Sequence, residues 1–353
     1  MDSIVSASYA VHFKTKAYEE LNQHLEKAHY STLFLLVDEN THEHCLPSFL
    51  AEITGDHSIE ILEIESGEEN KNITTCVGLW EALSELGADR KSAMLNLGGG
   101  VLTDMGGFVA STFKRGIDFI NIPTTLLAMV DASVGGKTGV DLGSLKNQVG
   151  VINQPVMVLI QPNFLDTLAE RQVISGFAEM LKHGLIQNAT YWEQLKTLNS
   201  LTKMKEHILA SVQIKNRVVL QDPTEQHLRK ILNFGHTLGH AVESYFLEHK
   251  ERPSLLHGEA IAIGMILEAY LSLRLTALPL HQLEDIKATF LRHFKKINIT
   301  EEDHKGIMDL LKFDKKNAHG NINFVLLNAI GQPALDVQVP DELIIAAFAY
   351  YME

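Results

Sequence analysis

Short apolar runs and helical segments alternate along the first half of the chain. Continuous apolar stretches within 31–40 (STLFLLVDEN), 92–100 (SAMLNLGGG) and 118–125 (DFINIPTT) predict buried strands. The segment 74–88 (TTCVGLWEALSELGA) instead repeats its apolar residues at helical spacing. Because strands that alternate with helices are typical of a parallel sheet covered by helices on both faces, this half predicts an α/β domain.

Beyond about residue 164 the pattern changes to long segments of helical periodicity. A shorter apolar piece at 320–333 (GNINFVLLNAIGQP) predicts a hairpin. We therefore expect an α/β domain over 1–168 and a mostly α-helical domain over 169–353. The predicted helices lie within 173–186, 201–220, 232–247, 258–275 and 340–352.

Composition narrows the classes of protein that the chain can belong to. Its 353 residues suffice for two domains, and no apolar run approaches the roughly 20 residues of a membrane-spanning helix. The N-terminal segment lacks the basic start and apolar core of a signal peptide, so we expect a cytoplasmic protein with no membrane partner. The only cysteines, Cys45 and Cys76, exclude a disulfide framework. A formal net charge of −14 argues against nucleic acid as a partner.

A run of glycines at 97–107 (LGGGVLTDMGG) follows a predicted strand and opens a predicted helix. Such a turn brings the backbone close to a phosphate and offers N–H donors at the helix start. It is not the dinucleotide fingerprint, because Thr103 occupies the third glycine position. A tight strand–helix turn explains the run equally well. Asp38 ends another predicted strand and could bind a ribose or merely form a turn.

The segment 130–150 (VDASVGGKTGVDLGSLKNQVG) contains GGKT but is not a P-loop. The P-loop pattern requires glycine where Asp131 stands. We expect a glycine-rich loop that presents Lys137, Lys146 and Asn147, which are suitable groups for binding phosphate or carboxylate.

Several histidines and one glutamate fall in apolar helical surroundings. Glu179 would cost several kcal/mol in such a place unless it is paired or bound to a metal. His236 and His240 share one helix face, and His257 begins another apolar helix. A glutamate and two histidines form a common catalytic zinc site, although each histidine alone could be an ordinary helix residue. The residues leave open whether His236, His240 or both would bind the ion, and Thr237 excludes the HExxH protease pattern.

These motifs, in this order, resemble the 3-dehydroquinate synthases of the sugar phosphate cyclase superfamily over almost the whole chain. Four positions depart from the usual family pattern, and we expect none of them to take part in chemistry. Asp141 replaces the usual asparagine, Gln161 replaces a common aspartate, and Ala169 and Gln172 alter an LPxRE pattern. The most specific similarities are GGGVLTDMGGFVAS, KRGIDFINIPTTLLAMVDASVGGKTGV, KNQVG, SGFAEMLKHGLI, LNFGHTLGHAVE and LHGEAIAIGM.

The resemblance implies a dehydroquinate synthase-like fold, in which a Rossmann-like α/β domain binds NAD and a helical domain binds one divalent ion, zinc or cobalt. The active site would lie between the domains. The implied reaction converts the seven-carbon sugar acid phosphate DAHP to 3-dehydroquinate and phosphate. It proceeds by transient oxidation with NAD, β-elimination of phosphate, reduction and intramolecular aldol closure.

The resemblance also implies a role for each matching residue. The metal ligands would be Glu179, His236 and His257, while His240 and Glu225 would accept protons. NAD would contact Asp38, Asn40, Glu68, Lys71, Gly99, Gly100, Val101, Asp104, Thr124, Thr125, Lys146, Phe164, Leu165, Asp166 and Thr167. Substrate would contact Arg115, Asp131, Lys137, Asn147, Lys182, Lys215, Arg229, Asn233, His240 and one of Lys315 or Lys316.

Two further expectations follow from the resemblance. Arg115 would reach the active site of a neighbouring subunit, which implies a homodimer. Asn233 would extend from the start of the same helix as His236 and His240. The implied cations would explain how an acidic chain binds an anionic substrate, with lysines on the phosphate and with Arg229 and Lys215 on the carboxylate.

Three other functions compete with this prediction. A 2-deoxy-scyllo-inosose or valiolone-type cyclase acts on a substrate without a carboxylate and needs Arg229, Lys215 and Asn233 less. A metal-dependent polyol dehydrogenase would release net NADH. A non-catalytic NAD- or metal-binding scaffold predicts loss of the cationic residues, which are all present.

Overall fold

The structure is a computed structural model that describes residues 3–143, 145–249, 251–252, 254–317 and 322–353, with the backbone alone at 312–317. The chain forms two compact units, of which the first contains Met1–Val173 and Lys215–Leu220. The second contains Ile174–Ile214 and Gln221–Glu353. The division into domains 1–168 and 169–353 stays a prediction.

The first unit is built on strands and helices that alternate along the chain. Three short 3₁₀ helices lie at Glu68–Asn70, Phe113–Arg115 and Pro162–Asp166, and a π-helical turn lies at Ala128–Ala132. The main elements are β1 Ser3–Val5, β2 Ala10–Phe13, α1 Thr15–Ala28, β3 Leu33–Asp38, α2 Glu39–His44, α3 Leu46–Leu50, β4 Ile59–Ile64, α4 Ile73–Glu85, β5 Ala93–Gly98, α5 Gly100–Thr112, β6 Asp118–Pro123, β7 Lys137–Leu142, β8 Leu145–Ile152 and β9 Met157–Ile160.

A seven-stranded sheet in the order β1-β2-β9-β6-β5-β3-β4 forms the centre of this unit. All neighbouring strands are parallel except β1 and β2, which confirms the predicted parallel sheet. Residues 33–37 of β3 are almost completely buried, as their continuous apolar run predicts. Because β3, β5 and β6 are parallel neighbours, their carboxyl ends lie at one edge of the sheet, where binding sites of such folds are built.

The expected glycine-rich loop at 130–150 is wrong, because much of this segment forms the antiparallel hairpin of β7 and β8. Gly139 and Gly150 are cross-strand partners in the hairpin. A Cβ on Gly150 would collide with the carbonyl oxygen of Thr138, so these glycines permit close strand pairing rather than a mobile loop. Lys137 and Lys146 therefore project from strands.

The second unit is mostly helical, as the pattern predicts, and the hairpin expected at 320–333 is present as β10 and β11. Residues of α6 and α8 belong to both units. Within the described residues, no helix has the length and apolar character needed to cross a membrane. The elements are α6 Glu170–Gln187, α7 Ala189–Leu195, α8 Leu201–Gln221, α9 His236–Glu248, α10 His257–Leu275, α11 Leu280–His293, α12 Glu301–Asn317, β10 Asn323–Ala329, β11 Gln332–Gln338 and α13 Asp341–Met352.

Helices α9 and α10 pack closely because glycines face each other where they meet. A Cβ on Gly264 would collide with the carbonyl oxygen of Gly235, and its next neighbour would be the backbone nitrogen of Gly239. Gly235 has a φ of +80°, so the backbone cannot continue as a right-handed helix from the preceding residues into α9. The expectation that Asn233 begins this helix is therefore wrong, since Asn233 ends a separate 3₁₀ helix, Leu228–Asn233.

Candidate functional site

Glu179 is a completely buried carboxylate on α6 in the second unit. Neither of its oxygens accepts a hydrogen bond from the described residues, although Lys182, one helical turn on, forms an ion pair with Oε2. Lys182 is itself almost fully buried. A buried carboxylate without hydrogen-bond donors is costly unless cations compensate for its lost hydration. The position of Glu179 therefore requires positive charge around it.

Three histidines lie together on two other helices, and two of them face this carboxylate. His236 and His240 lie on α9, and His257 is the first residue of α10. One ring nitrogen from each lies within 4.8 Å of the others. Nε2 of His236 is 3.6 Å from Oε1 of Glu179, and Nε2 of His257 is 3.8 Å from the same oxygen. The structure thus brings together the three predicted metal ligands and places His240 beside them.

The donor set fits a divalent ion such as zinc. Imidazole nitrogens and a carboxylate are its usual protein ligands, and three of them leave a position open for substrate. Nδ1 of His236 is 3.2 Å from the carbonyl oxygen of Phe234. A proton held on Nδ1 by this contact leaves Nε2 available as a ligand atom towards Glu179.

Two further carboxylates support these helices, and the sequence patterns did not single them out. Oε2 of Glu243 lies 3.1 Å from Nδ1 of His257. Glu268, completely buried on α10, accepts hydrogen bonds from the backbone N–H groups of Gly235 and Leu238 at 2.6 and 3.1 Å. Burial raises the pKa of Glu268 to about 8, against the opposing effect of these hydrogen bonds. The sequence feature that could have identified Glu268 is its position as a glutamate inside an otherwise apolar helix.

The segment before α9 holds three of the predicted substrate residues. Asn233 donates a hydrogen bond from Nδ2 to Oε1 of Glu225 at 2.9 Å, so the amide orients the predicted proton acceptor. Arg229 is buried and donates from Nη1 to the carbonyl oxygen of Pro223 at 2.7 Å. Asp222, another residue that the patterns missed, accepts hydrogen bonds from three backbone N–H groups of this turn. The turn is therefore held by its own backbone contacts.

In the first unit, the glycine run forms the junction between β5 and α5. Gly98 ends the strand, and the helix begins at Gly100. Gly99 stands at the N-cap and has no side chain with which to satisfy the N–H groups of the first turn. Such a helix start fits an anionic group such as a pyrophosphate. Thr124 follows the adjacent strand β6 and donates its backbone N–H to the carbonyl oxygen of Gly98 at 2.9 Å.

Asp38 and Asn40 lie at the carboxyl end of β3. Asp38 is the N-cap of α2 and accepts a hydrogen bond from the backbone N–H of Thr41 at 2.7 Å. Asp38 therefore does form a turn, and its binding to a ribose stays a prediction. Asn40 lies exposed in the first turn of α2. Four other predicted NAD contacts lie in the 3₁₀ helix Pro162–Asp166 and at its C-cap: Phe164, Leu165, Asp166 and Thr167.

A partly buried polar network joins several predicted NAD and substrate residues. Lys71 donates to Oδ2 of Asp104 at 2.6 Å and to Oδ1 of Asn147 at 2.8 Å. Burial lowers the pKa of Lys71, but the carboxylates of Asp104 and Glu68 more than offset this effect and raise it overall. Lys71 is therefore cationic. Nζ of Lys146 donates to Oε1 of Glu68 at 2.9 Å.

Asp141 organises this network, a supporting role that the sequence patterns did not indicate. Its Oδ1 accepts the backbone N–H of Asn147 at 2.7 Å, and its Oδ2 lies 3.3 Å from Nζ of Lys146. Asn147 has a φ of +53°, in the left-handed region that costs a non-glycine residue energy. The carboxylate of Asp141 thus stabilises a strained backbone at a predicted substrate residue.

The remaining predicted residues are placed as follows. Lys215 donates to the carboxylate Oδ1 of Asp131 at 2.7 Å, within the first unit. Lys137 is exposed at the start of β7, and Arg115 ends the 3₁₀ turn after α5 with a φ of +69°. Lys315 and Lys316 fall in α12, but their side chains lie outside the described residues.

Two family models match the chain consecutively. The model for the N-terminal part of 3-dehydroquinate synthase covers residues 61–175, and the model for its C-terminal part covers residues 176–317. The chain belongs to the 3-dehydroquinate synthase family. The match confirms the resemblance seen in the motifs.

Relatives of this family match over nearly their whole length. A 3-dehydroquinate synthase of Parabacteroides distasonis is 42% identical, and the alignment covers 95% of each chain. A 3-dehydroquinate synthase of Clostridium beijerinckii is 36% identical over 93% of this chain and 95% of its own. Neither similarity is confined to one domain.

Solved structures of other sugar phosphate cyclases share the fold. ValA, a 2-epi-5-epi-valiolone synthase from Streptomyces hygroscopicus with NAD⁺ and Zn²⁺ bound, is 27% identical, with a TM-score of 0.84 over 100% of this chain and 99% of that one. A 2-deoxy-scyllo-inosose synthase complexed with carbaglucose-6-phosphate, NAD⁺ and Co²⁺ is 25% identical, with a TM-score of 0.83 over 99% of both chains. These likenesses confirm the predicted dehydroquinate synthase-like fold.

Proposed function

We propose that this protein is a 3-dehydroquinate synthase, which converts DAHP to 3-dehydroquinate and inorganic phosphate. It would be a phosphorus–oxygen lyase of the shikimate pathway, which leads to chorismate and the aromatic amino acids. The observation that carries the proposal is the similarity to a 3-dehydroquinate synthase at 42% identity over 95% of the chain. The buried carboxylate and three imidazoles of the second unit are consistent with it.

We assign the metal to Glu179, His236 and His257, with zinc or cobalt as the ion. The hydrogen-bond-deficient carboxylate and the two Nε2 atoms at 3.6 and 3.8 Å from it support this assignment. When bound, the ion favours loss of the proton from a substrate hydroxyl. His240 lies beside the ligands, with its ring centroid 5.1 Å from that of His236. We propose that it accepts a substrate proton instead of binding the ion.

We propose that NAD binds in the first unit, along the carboxyl ends of β3, β5 and β6. When bound, NAD supplies an oxidation that is reversed within the same turnover, so no net NADH forms. The uncapped first turn of α5 would donate backbone N–H groups to the pyrophosphate. The proposed contacts are Asp38, Asn40, Glu68, Lys71, Gly99, Gly100, Val101, Asp104, Thr124, Thr125, Lys146 and the segment from Phe164 to Thr167.

The proposed substrate contacts divide by charge. Lysines and Asn147 would hold the phosphate dianion, whereas Arg229 and Lys215 would bind the carboxylate. Glu225, oriented by the amide of Asn233 at 2.9 Å, would accept a proton. The full proposed set is Arg115, Asp131, Lys137, Asn147, Lys182, Lys215, Glu225, Arg229, Asn233, His240 and one of Lys315 or Lys316.

A second candidate function is another sugar phosphate cyclase, which the TM-scores of 0.83 and 0.84 favour. The sequence identities argue against it, since they are 25% and 27% to those cyclases but 42% to a 3-dehydroquinate synthase. Arg229, Lys215 and Asn233 also provide for a substrate carboxylate. The structure of an NADH-dependent butanol dehydrogenase from Thermotoga maritima, at 15% identity, shares the fold alone, with a TM-score of 0.67.

We further propose a cytoplasmic homodimer in which Arg115 reaches the neighbouring active site. The support is the family match and the position of Arg115 at the end of the 3₁₀ helix Phe113–Arg115, where its φ of +69° lies in the strained left-handed region. Sedimentation should give twice the chain mass of 39.3 kDa, and cell fractionation should place the protein in the cytoplasm. A monomer with full activity would contradict the role of Arg115.

Phosphate release from alternative substrates tests the proposed function. The purified protein with NAD and Zn²⁺ or Co²⁺ should release phosphate from DAHP, and removal of the ion by a chelator should stop the reaction. Glucose 6-phosphate, which lacks the carboxylate, should release none. Preference for glucose 6-phosphate over DAHP would instead support the second candidate.

A further inference from the structure

Glu243 is a buried glutamate on α9 whose carboxylate meets the first residue of α10. Its Oε2 lies 3.1 Å from Nδ1 of His257, and its side chain is 10% exposed. The other ring nitrogen of His257, Nε2, faces Oε1 of Glu179 at 3.8 Å. One imidazole therefore lies between two carboxylates, one at each nitrogen.

This arrangement determines which nitrogen of His257 carries the proton. A carboxylate at hydrogen-bond distance accepts the proton on Nδ1, so the lone pair of the neutral ring stays on Nε2. Metal-binding histidines in proteins almost always donate their second N–H to a carboxylate or a carbonyl group. His236 follows the same rule with a carbonyl, that of Phe234 at 3.2 Å. Both predicted histidine ligands thus have an acceptor at Nδ1.

The contact also fixes where His257 points. His257 is the N-terminal residue of its helix, and its side chain is 30% exposed, so packing alone restrains the ring weakly. The carboxylate of Glu243 comes from the neighbouring helix, whose backbone meets α10 at Gly235 and Gly264. It therefore joins the two helices at the point where the ring must be oriented.

We propose that Glu243 is a positioning residue that holds His257 in the Nδ1–H tautomer, with Nε2 directed at the metal. The inference rests on the proposed function, because it takes His257 to be a metal ligand. Glu243 itself would not contact the ion or the substrate.

Metal affinity, measured by competition with a chromogenic chelator, tests the role without relying on turnover. Glu243→Ala should raise the Kd for Zn²⁺ by about 10- to 100-fold, the usual effect of removing such a partner. Glu243→Gln should raise it less, because the amide oxygen still accepts the Nδ1–H bond. The Co²⁺ absorption spectrum of Glu243→Ala should also shift, since the geometry at one ligand changes.

Two controls separate positioning from charge and from folding. Glu248→Gln removes the same charge from an exposed position on the same helix and should leave the Kd unchanged. Circular dichroism of each metal-free variant shows whether it is folded. If Glu243→Ala is unfolded, Glu243→Gln still tests the role, because glutamine has nearly the same shape as glutamate. Equal effects of Glu243→Gln and Glu243→Ala would reduce the role to charge and overturn the proposal.

The outcome also distinguishes this inference from the metal assignment. If Glu243→Ala loses metal as completely as His257→Ala, Glu243 is a ligand and the positioning role is wrong. If both Glu243 variants bind Zn²⁺ like the wild type while His257→Ala does not, only the inference fails. If His257→Ala retains wild-type affinity, the metal assignment fails first.

Discussion

His236 and His240 lie one helical turn apart on α9, yet we assign them different roles. Nε2 of His236 is 3.6 Å from the buried carboxylate of Glu179. His240 completes a group of three imidazoles with ligand atoms within 4.8 Å, so it could in principle replace either partner at the metal. Buried carboxylates need compensation by charge, which favours a ligand set that includes Glu179.

Single substitutions of the three histidines separate these roles. His236→Ala and His257→Ala should lose bound metal, because each removes one of three proposed ligands. His240→Ala should retain one ion per chain but lose turnover by about 100-fold or more, the range of general acid–base catalysis. Metal content by atomic emission, together with phosphate release, checks both expectations. Loss of metal in His240→Ala, with metal retained in Glu179→Gln, would show that three imidazoles form the site.

The sequence could indicate the residues of direct chemistry but not those that support them. Glu179 stands out because a glutamate in an apolar helix needs a partner, and the histidines stand out by number and spacing. Glu243 and Asp141 act on residues that lie 14 and 6 positions away, through contacts that only the packed helices and the paired strands create. No local pattern reports such contacts, so these residues were missed or dismissed.

At the scale of elements, the contact between α9 and α10 determines the geometry of the proposed metal site. Each helix begins at a proposed ligand, His236 or His257. Glycines allow their backbones to meet, and Glu268 of α10 supplies hydrogen-bond acceptors to the first turn of α9. The start of α9 thus receives from its neighbour the cap that its own sequence lacks.

Glu268 should make the stability of the metal-free protein depend on pH. Burial raises its pKa from 4.5 to about 8, so the folded state retains a proton that the unfolded chain releases. Its stabilising contribution is therefore complete below pH 4.5 and is lost as the pH rises to about 8. Glu268→Gln should lower the free energy of unfolding by roughly 1–3 kcal/mol at pH 5, since an amide N–H₂ then faces a backbone donor.

Denaturant unfolding of both proteins across this pH range checks the sign. The difference in free energy of unfolding between the wild type and Glu268→Gln should narrow as the pH rises. Glu248→Gln, which replaces a solvent-exposed glutamate at the end of α9, provides the matched control. A difference that widens with pH would mean that Glu268 is ionised and stabilising as a carboxylate.

The types of most elements could be predicted from the sequence, but two details could not. Periodicity distinguishes the strands of the first unit from the helices of the second, because burial imposes a period on each. The glycines at 139 and 150 suggested a loop, whereas they permit two strands to pair closely. Gly235 interrupts a continuous helical pattern, so α9 begins after Asn233 rather than before it.

At the scale of the whole molecule, an acidic chain is proposed to bind a multiply anionic substrate. The net charge of −14 opposes such binding at long range, so the local arrangement of cations must decide it. Lys182 and Arg229 are buried, and Lys215 is 5% exposed, which places these cations where salt screens them little. The affinity for substrate should therefore depend less on ionic strength than it would if these cations were exposed at the surface.

In the proposed reaction, oxidation by NAD is transient and serves the loss of phosphate. Phosphate and NADH should be measured together in one reaction of the purified protein with DAHP, NAD and Zn²⁺ or Co²⁺. We expect phosphate release over many turnovers without net accumulation of NADH. Steady formation of NADH in proportion to the DAHP consumed would show that the protein is a dehydrogenase and not a 3-dehydroquinate synthase.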